Sequence, residues 1–263
     1  MNALVCALSL ALLGATPTAE LPREGRMLFE AAPDRLDARV GEWVTYQLEG
    51  SQQAFMRMAA VGEEKDAQGR DAVWLELEFG QHPAMKAPMA QFLMLVTRDV
   101  GLRTEGISRL FLTQGFERMQ EVDQKALPAL LGPPDKDSAR PGPAPSSARI
   151  AAGPDMSVQR GKPARVMTLA GTVTAEPLEV LHKRTVLKRY WISREIPILR
   201  LAKMEFPGIR YSMEVRDHGV DAKQRMVLPV PGAKKITLEP ASNLPDWMQP
   251  PPGSEPEPEE NNP

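Results

Sequence analysis

The stretch of sequence that decides the fold is IRYSMEVR, at residues 209–216. Apolar and polar side chains alternate along it without interruption: Ile209, Tyr211, Met213 and Val215 against Arg210, Ser212, Glu214 and Arg216. Successive side chains of a β-strand point to opposite faces of a sheet, so this pattern predicts a strand with one face towards a core and one towards solvent. Such a strand is typical of an antiparallel sheet.

Similar strand patterns recur on both sides of the chain's middle. They predict strands at 41–48, 54–61, 71–79 and 107–113, and again at 165–174, 178–182, 185–192 and 198–206. In the stretch 71–79 the apolar residues are expected to face inward and Glu76 and Glu78 to face solvent. Polar connections bounded by glycine, such as 62–70, are typical of hairpins, and repeated hairpins predict a meander that closes on itself or curls around a layer.

Residues 85–96 fit both the helical and the strand periodicity of apolar side chains. Their apolar side chains form a helical stripe, with Pro88 tolerated near the first turn, whereas 92–96 alone would suit a buried strand. We favour the helix. A second short helix is predicted within 115–131, before Gly132 and two prolines.

The two ends and the middle of the chain differ in composition from the strand-rich parts. An apolar run at residues 3–15, followed by small residues, predicts a signal peptide at 1–19, although no Lys or Arg precedes the run. Cys6, the only cysteine, lies inside this run, and the bulky Val5 before it disfavours a lipoprotein modification site. We therefore expect export, one domain at 20–240 interrupted by a proline-rich loop at about 133–148, and a disordered Pro/Glu-rich tail at 241–263.

Composition and motifs exclude several classes of function. The 32 basic and 34 acidic residues give a net charge of −2, which offers no field for gathering nucleic acid. The three histidines lie in separate segments, and the chain contains no Gly-x-Ser-x-Gly elbow, Walker-type loop or His-Glu-x-x-His pattern. We expect no catalytic residues, no metal site and no cofactor, so the chain is predicted not to be an enzyme. Its 14 methionines suit either an adaptable apolar binding surface or gap filling in a core.

Three short motifs resemble a known superfamily. They are GEWVTY at 41–46, YWIS with IPIL at 190–199, and MEVRDHG at 213–219, and the likeness spans about residues 40–223. Together they resemble exported bacterial proteins of the outer-membrane lipoprotein-carrier (LolA/LolB-like) superfamily. The resemblance implies a mainly β fold with a few helices: an unclosed antiparallel β-barrel, or strongly curved sheet, with a helical lid and a concave apolar interior that accepts acyl chains.

On this interpretation, residues 85–96 would be the lid, and the apolar faces of 71–79 and 209–215 would line the concavity or simply pack a closed core. The predicted ligand-binding residues are Val73, Leu75, Leu77, Phe79, Met85, Met89, Phe92, Leu93, Val96, Tyr211 and Met213. The hypothesis is a periplasmic or envelope protein that binds a lipid, acyl chain or lipoprotein. The alternative is a structural or protein-interaction module with an envelope protein partner and no lipid. In either case we expect a monomer with peripheral or no membrane contact and no nucleic-acid partner.

Overall fold

Twelve β-strands make up nearly all the regular structure in the part of the chain that the computed structural model describes, which is residue 33 and residues 35–50, 52–114, 119–127 and 155–227. The predicted signal peptide, the proline-rich loop and the Pro/Glu tail lie outside these ranges. The strands are β1 (Trp43–Glu49), β2 (Ala54–Lys65), β3 (Asp71–Gly80), β4 (Ala90–Thr97), β5 (Ile107–Gln114), β6 (Gln120–Glu121), β7 (Met156–Arg160), β8 (Ala164–Thr168), β9 (Gly171–His182), β10 (Thr185–Ile192), β11 (Leu201–Phe206) and β12 (Tyr211–Gly219).

The strands form one antiparallel sheet made of two meanders. Its order is β6-β5-β4-β3-β2-β1-β12-β11-β10-β9-β7, with β8 paired to β9 beside this path. The first and last strands therefore pair at the centre of the sheet, Tyr46 lying opposite Val215. Among the described residues the outermost strands, β6 and β7, do not pair with each other, so the sheet is unclosed, as predicted.

The sheet is strongly curved. The backbone N–H of Leu36 donates to the carbonyl of Arg98, just after β4, while the next residue, Asp37, accepts from the side chain of Arg200, just before β11. Five strand spacings separate β4 from β11, which would be about 24 Å in a flat sheet. Adjacent residues reach both strands only because the sheet bends around a shared interior. We call the side facing that interior the inner face and the opposite side the outer face.

The helical lid predicted at residues 85–96 is wrong for most of that segment, because residues 90–97 form the strand β4, which lies inside the sheet. Each of its residues pairs with β3 on one side, and most also pair with β5 on the other. Both faces of β4 are buried, including Phe92 on the inner face and Leu93 on the outer face. An apolar run without alternation is what a strand buried on both sides produces, and over a short segment it imitates a helical stripe.

Smaller differences concern turns. Residues 164–182, predicted as two strands from 165, form the β8–β9 hairpin, in which Gly171 adopts a positive φ of 119° that glycine tolerates. The strand predicted from residue 198 begins at Leu201, because Ile198 and Arg200 have positive φ values of 63° and 55°. Strand β7 was not predicted. Within 119–127 a 3-10 turn at Gln124–Ala126 leads directly into Leu127, which has helical backbone angles; the rest of the helix predicted at 115–131 lies outside the described residues.

Candidate functional site

The inner face brings most of the predicted ligand-binding residues together. The side chains of one cluster are buried and apolar: Val73, Leu75, Leu77, Phe79, Phe92, Val96 and Met213. Tyr211 is half-buried and packs against the same cluster. This cluster also draws on strands β9 to β11 of the second half, so the interior is apolar across both meanders.

Three predicted residues lie elsewhere. Leu93 is on the outer face, where it packs with Phe111 and Met226, because β4 places alternate residues on opposite sides. Met85 is buried in the loop before β4. Met89, in the same loop, is 49% exposed. These three side chains therefore do not line the same surface as the inner-face cluster.

Two irregular stretches of chain close one end of the curved sheet. We call residues 35–42 and 193–200 the plug segments. They insert Leu36, Ala38, Ile196, Ile198 and Leu199 into the inner-face cluster, and the Asp37–Arg200 ion pair, 2.6 Å long, joins them. A β-branched residue with positive φ is sterically unfavourable, so Ile198 holds local strain that the surrounding packing must offset.

A polar group lies within this apolar interior. The hydroxyl of Tyr46 is buried and has no hydrogen-bond partner among the described residues. Burial raises the pKa of Tyr46, so the hydroxyl keeps its proton and remains a donor. Leaving a buried hydroxyl unpaired costs about 1–3 kcal/mol, which makes it an unusual feature of a finished core.

The outer face of the first meander is covered, and this corrects the expectation that Glu76 and Glu78 face solvent. Residues 220–227, which we call the strap, lie across it, and both carboxylates are buried beneath. The strap begins against Gly41, whose carbonyl accepts from the N–H of Ala222. A side chain at Gly41 would have its Cβ only 2.5 Å from the carbonyl oxygen of Val220.

Glu76 fixes the middle of the strap. Its Oε1 accepts hydrogen bonds from the backbone N–H groups of Arg225 (2.8 Å) and Met226 (2.7 Å), while its Oε2 is buried without a partner. Burial raises the pKa of the Glu76 carboxyl, and these two N–H groups oppose the rise. The strap is therefore held by main-chain hydrogen bonds to one buried side chain.

Glu78 holds two guanidinium groups. One of its oxygens, Oε2, lies 3.2 Å from Arg57 and 3.3 Å from Arg225, and the other accepts from the side chain of Gln91 at 3.2 Å. Burial lowers the pKa of Arg57, helped by the neighbouring charge of Arg225. Two cations thus share a single carboxylate oxygen.

Beside this network the outer face holds a cavity of about 550 Å³. It is lined by Trp43, Thr45, Arg57, Pro83, Ala84, Arg216, Asp217, Asp221, Ala222, Lys223 and Arg225. Sequence reasoning missed it, because its wall combines β1, β2 and β12 with a strap more than 150 residues after β2. One signal was available: Arg57 is a lone cation in the otherwise apolar stretch AFMRMAAV at 54–61.

Apolar side chains also lie at the surface of the second meander. Met167 is 81% exposed and Leu169 52% exposed, both in the β8–β9 hairpin. The tip of this hairpin reaches β12, where the N–H of Ala170 donates to the carbonyl of Val215. Within the described ranges β8 pairs with β9 alone, which leaves one of its edges open.

In the described parts of the chain, no three His, Cys, Asp or Glu side chains are grouped so that they could hold a metal ion. No helix in these parts is long and apolar enough to cross a membrane.

Comparisons with known proteins found structural neighbours only. No family model and no curated protein matches the chain. A Bacteroides fragilis protein described as exported, with a YmcC-like fold, is 9% identical, and the match covers 72% of this chain and 99% of that one with a TM-score of 0.33. A Vibrio parahaemolyticus domain described as outer membrane lipoprotein-sorting is 11% identical over 68% and 84%, with a TM-score of 0.27.

A chain of the Pseudomonas aeruginosa MucA/MucB complex is also 11% identical, over 76% of this chain and 56% of that one, with a TM-score of 0.27. These neighbours include the lipoprotein-sorting class that the sequence resembled. With TM-scores this low the likeness is loose, and the function proposed below depends on this chain's own residues.

Proposed function

We propose that this chain is an exported, non-catalytic binding protein of the cell envelope, and that it takes the apolar chain of a lipid or lipoprotein against the inner face of its sheet. The observation that carries the proposal is the inner face, which is apolar across both meanders and is closed at one end by the irregular plug segments. The apolar run at residues 3–15 supports export.

Binding on this face requires the plug segments to move. In the closed form the interior is filled by the chain's own side chains, so the ligand and the plug compete for the same apolar surface. The plug suits displacement because it has little regular structure, holds strain at Ile198 and is joined by an ion pair in which Asp37 is largely exposed. The apparent affinity is then the intrinsic affinity reduced by the fraction of open molecules.

The Tyr46 hydroxyl would set the direction in which a ligand lies on the inner face. An acyl chain carries an ester or amide carbonyl at its head, and that carbonyl is an acceptor for a hydroxyl that has no partner in the closed form. This pairing would remove the cost of the buried hydroxyl and would orient the ligand. A purely aliphatic hydrocarbon lacks the acceptor and is expected to bind less tightly.

The direct test is native mass spectrometry of the protein purified from its own envelope, followed by denaturing mass spectrometry of whatever is released. A bound lipid or acylated peptide is the expected result. A protein that carries nothing, and that also fails to bind a dansylated fatty acid in a fluorescence titration, would overturn the lipid proposal.

A pair of variants tests the competition with the plug. Ile196→Ala removes buried plug contacts, which should raise the open fraction and strengthen binding of the dansylated fatty acid. Leu187→Ala removes an exposed apolar side chain on β10 and serves as the matched control, with no change expected. Weaker or unchanged binding by Ile196→Ala would show that the plug does not compete with the ligand.

The alternative is a protein-interaction module, and one observation favours it. The exposed Met167 and Leu169 lie in a hairpin whose strand β8 has an open edge, an arrangement to which a partner strand can add. Site-specific photo-crosslinking from position 167 in the envelope should then give one discrete product. Leu169→Glu should abolish that product without affecting lipid content, which separates the two functions.

A further inference from the structure

The outer-face cavity gathers positive charge from three separate parts of the chain. Arg57 comes from β2, Arg216 from β12, and Lys223 and Arg225 from the strap, whereas two carboxylates, Asp217 and Asp221, line the same space. The cavity lies on the opposite side of the sheet from the inner face, so its role is independent of the function proposed above.

A β-bulge shapes this cavity. The register between β1 and β12 shifts at Thr45 and Tyr46, which lie opposite Asp217 and Val215, so Arg216 is the extra residue. Without the bulge, consecutive side chains would point to opposite faces; with it, Arg216 and Asp217 both line the cavity. Arg216 also donates to the side chain of Gln47 at 2.6 Å and lies over the ring of Phe55 on the outer face.

Carboxylates near the cavity offset part of this positive charge. Asp221 accepts the indole N–H of Trp43 at 2.8 Å, a bond that lowers the pKa of that carboxyl. Glu78 shares one oxygen between Arg57 and Arg225. Even so, the four cations that line the cavity outnumber the two carboxylates, Asp217 and Asp221, that line it with them.

Arg57 is the central donor. Its guanidinium carries five N–H groups, but among the residues that the structure describes its side chain makes one hydrogen bond, to Glu78. The residue is only 6% exposed and lines the cavity, so its remaining donors are fixed in place near that space. The ring of Trp43 lies 5.7 Å from the guanidinium carbon and limits its movement on one side.

We propose that the outer-face cavity binds a phosphate group, with Arg57 at its base and Arg216, Lys223 and Arg225 around it. Guanidinium groups match the spacing of phosphate oxygens, and several cations can each meet a different oxygen of a tetrahedral anion. A volume of about 550 Å³ exceeds that of phosphate alone, which leaves room for the organic part of a phosphate ester.

The buried network alone would explain Arg57 and Arg225 as a clamp for the strap. Lys223 and Arg216 distinguish the two roles, because both are exposed and neither contacts Glu76 or Glu78. Their loss should therefore weaken phosphate binding while leaving the fold intact.

The experiment is a calorimetric titration of the purified protein with inorganic phosphate and with glycerol 3-phosphate, together with flotation on phosphatidylcholine vesicles containing phosphatidic acid. Glycerol 3-phosphate should bind more tightly than phosphate, and binding should weaken as ionic strength rises. Binding to glycerol 3-phosphate alone would identify a soluble phosphate ester, and binding to the vesicles would identify a lipid headgroup.

Variants complete the test. Lys223→Gln is expected to weaken glycerol 3-phosphate binding about fivefold with an unchanged unfolding temperature. Arg216→Gln should weaken binding to the same degree and lower the unfolding temperature only slightly, through the loss of the contacts that this exposed side chain makes with Gln47 and Phe55. Lys162→Gln, which removes an exposed cation between β7 and β8, is the matched control and should bind as the unaltered protein does. No binding to any probe, or equal loss in all three variants, would overturn the proposal.

Discussion

The outer faces of the two meanders carry similar alternating charges but have different surroundings. On β3, Glu76 and Glu78 are fully buried beneath the strap. On β9 and β10, Glu179 and Arg189 form a 2.7 Å ion pair that stays partly exposed. The difference arises because the strap crosses only the first meander. The alternation of a strand thus shows which residues share a face, but residues far away in the sequence determine whether that face is exposed to solvent.

The largest effect is expected where the buried charges lose their partner. Glu78→Ala would leave the guanidinium groups of Arg57 and Arg225 without their shared carboxylate, and removing one side of a buried ion pair costs about 3–5 kcal/mol. Glu179→Ala on the second meander is the matched control and should cost about 0–1 kcal/mol. Urea unfolding measures both, and equal losses would mean that the strap does not separate the two faces energetically.

A smaller loss is expected from the apolar contact of the strap. Met226→Ala removes the side chain that packs against Leu93 and Phe111, which should lower the free energy of unfolding by about 2 kcal/mol. Met167→Ala, at an exposed position of the second meander, should change it by less than about 0.5 kcal/mol. If polar contacts alone held the strap, the denaturation curves of Met226→Ala and Met167→Ala would be indistinguishable.

The burial of Glu76 also predicts a dependence on pH. Its pKa is raised in the folded state, so the folded protein binds the proton more tightly than the unfolded chain does. The tighter proton binding stabilises the fold fully below the pKa that Glu76 has in the unfolded chain, and this stabilisation is lost as the pH rises through its pKa in the folded protein. Glu76→Gln should therefore gain stability relative to the unaltered protein as the pH increases from 4 towards neutrality, as measured by thermal unfolding at several pH values. A constant difference would contradict the raised pKa.

The smallest effect concerns the inner face. Tyr46→Phe removes a buried hydroxyl that has no described partner, so it should be neutral or stabilise the closed form by up to about 1 kcal/mol. The same change should weaken binding of the dansylated fatty acid, because the carbonyl of the ligand loses its donor. Destabilisation by more than about 1 kcal/mol would show that the hydroxyl already has a structural partner.

Local patterns were enough to predict most of the strands, including β10 and the inner face of β3. They failed at β4, where burial on both sides removed the alternation, and at the outer face of β3, where the covering residues come about 150 positions later. The predicted residues that share the inner face could be grouped correctly because apolar residues recur there at every second position; that they bind a ligand stays a prediction. Leu93 was misplaced because the helical interpretation put it beside Phe92.

The outer-face cavity could not be predicted, since it depends on tertiary placement. The bulge that turns Arg216 towards it leaves no distinct signal in the stretch 209–216, and Lys223 lies in a segment without a strand pattern. Only Arg57 stood out locally, as a cation among apolar residues. A single such residue does not indicate which distant groups will meet it.

The pairing of β1 with β12 has a consequence for how the protein matures. The centre of the sheet joins the first strand to the last, so its most central contacts span most of the sequence and form late, after the costly closure of a long loop. During synthesis in the N-to-C direction, β1 and its first neighbour β2 emerge long before its other neighbour, β12, is available. One edge of β1 and the outer face of β3 therefore stay uncovered until β12 and the strap have been made, and any chaperone that protects the unfinished sheet must act on the early strands.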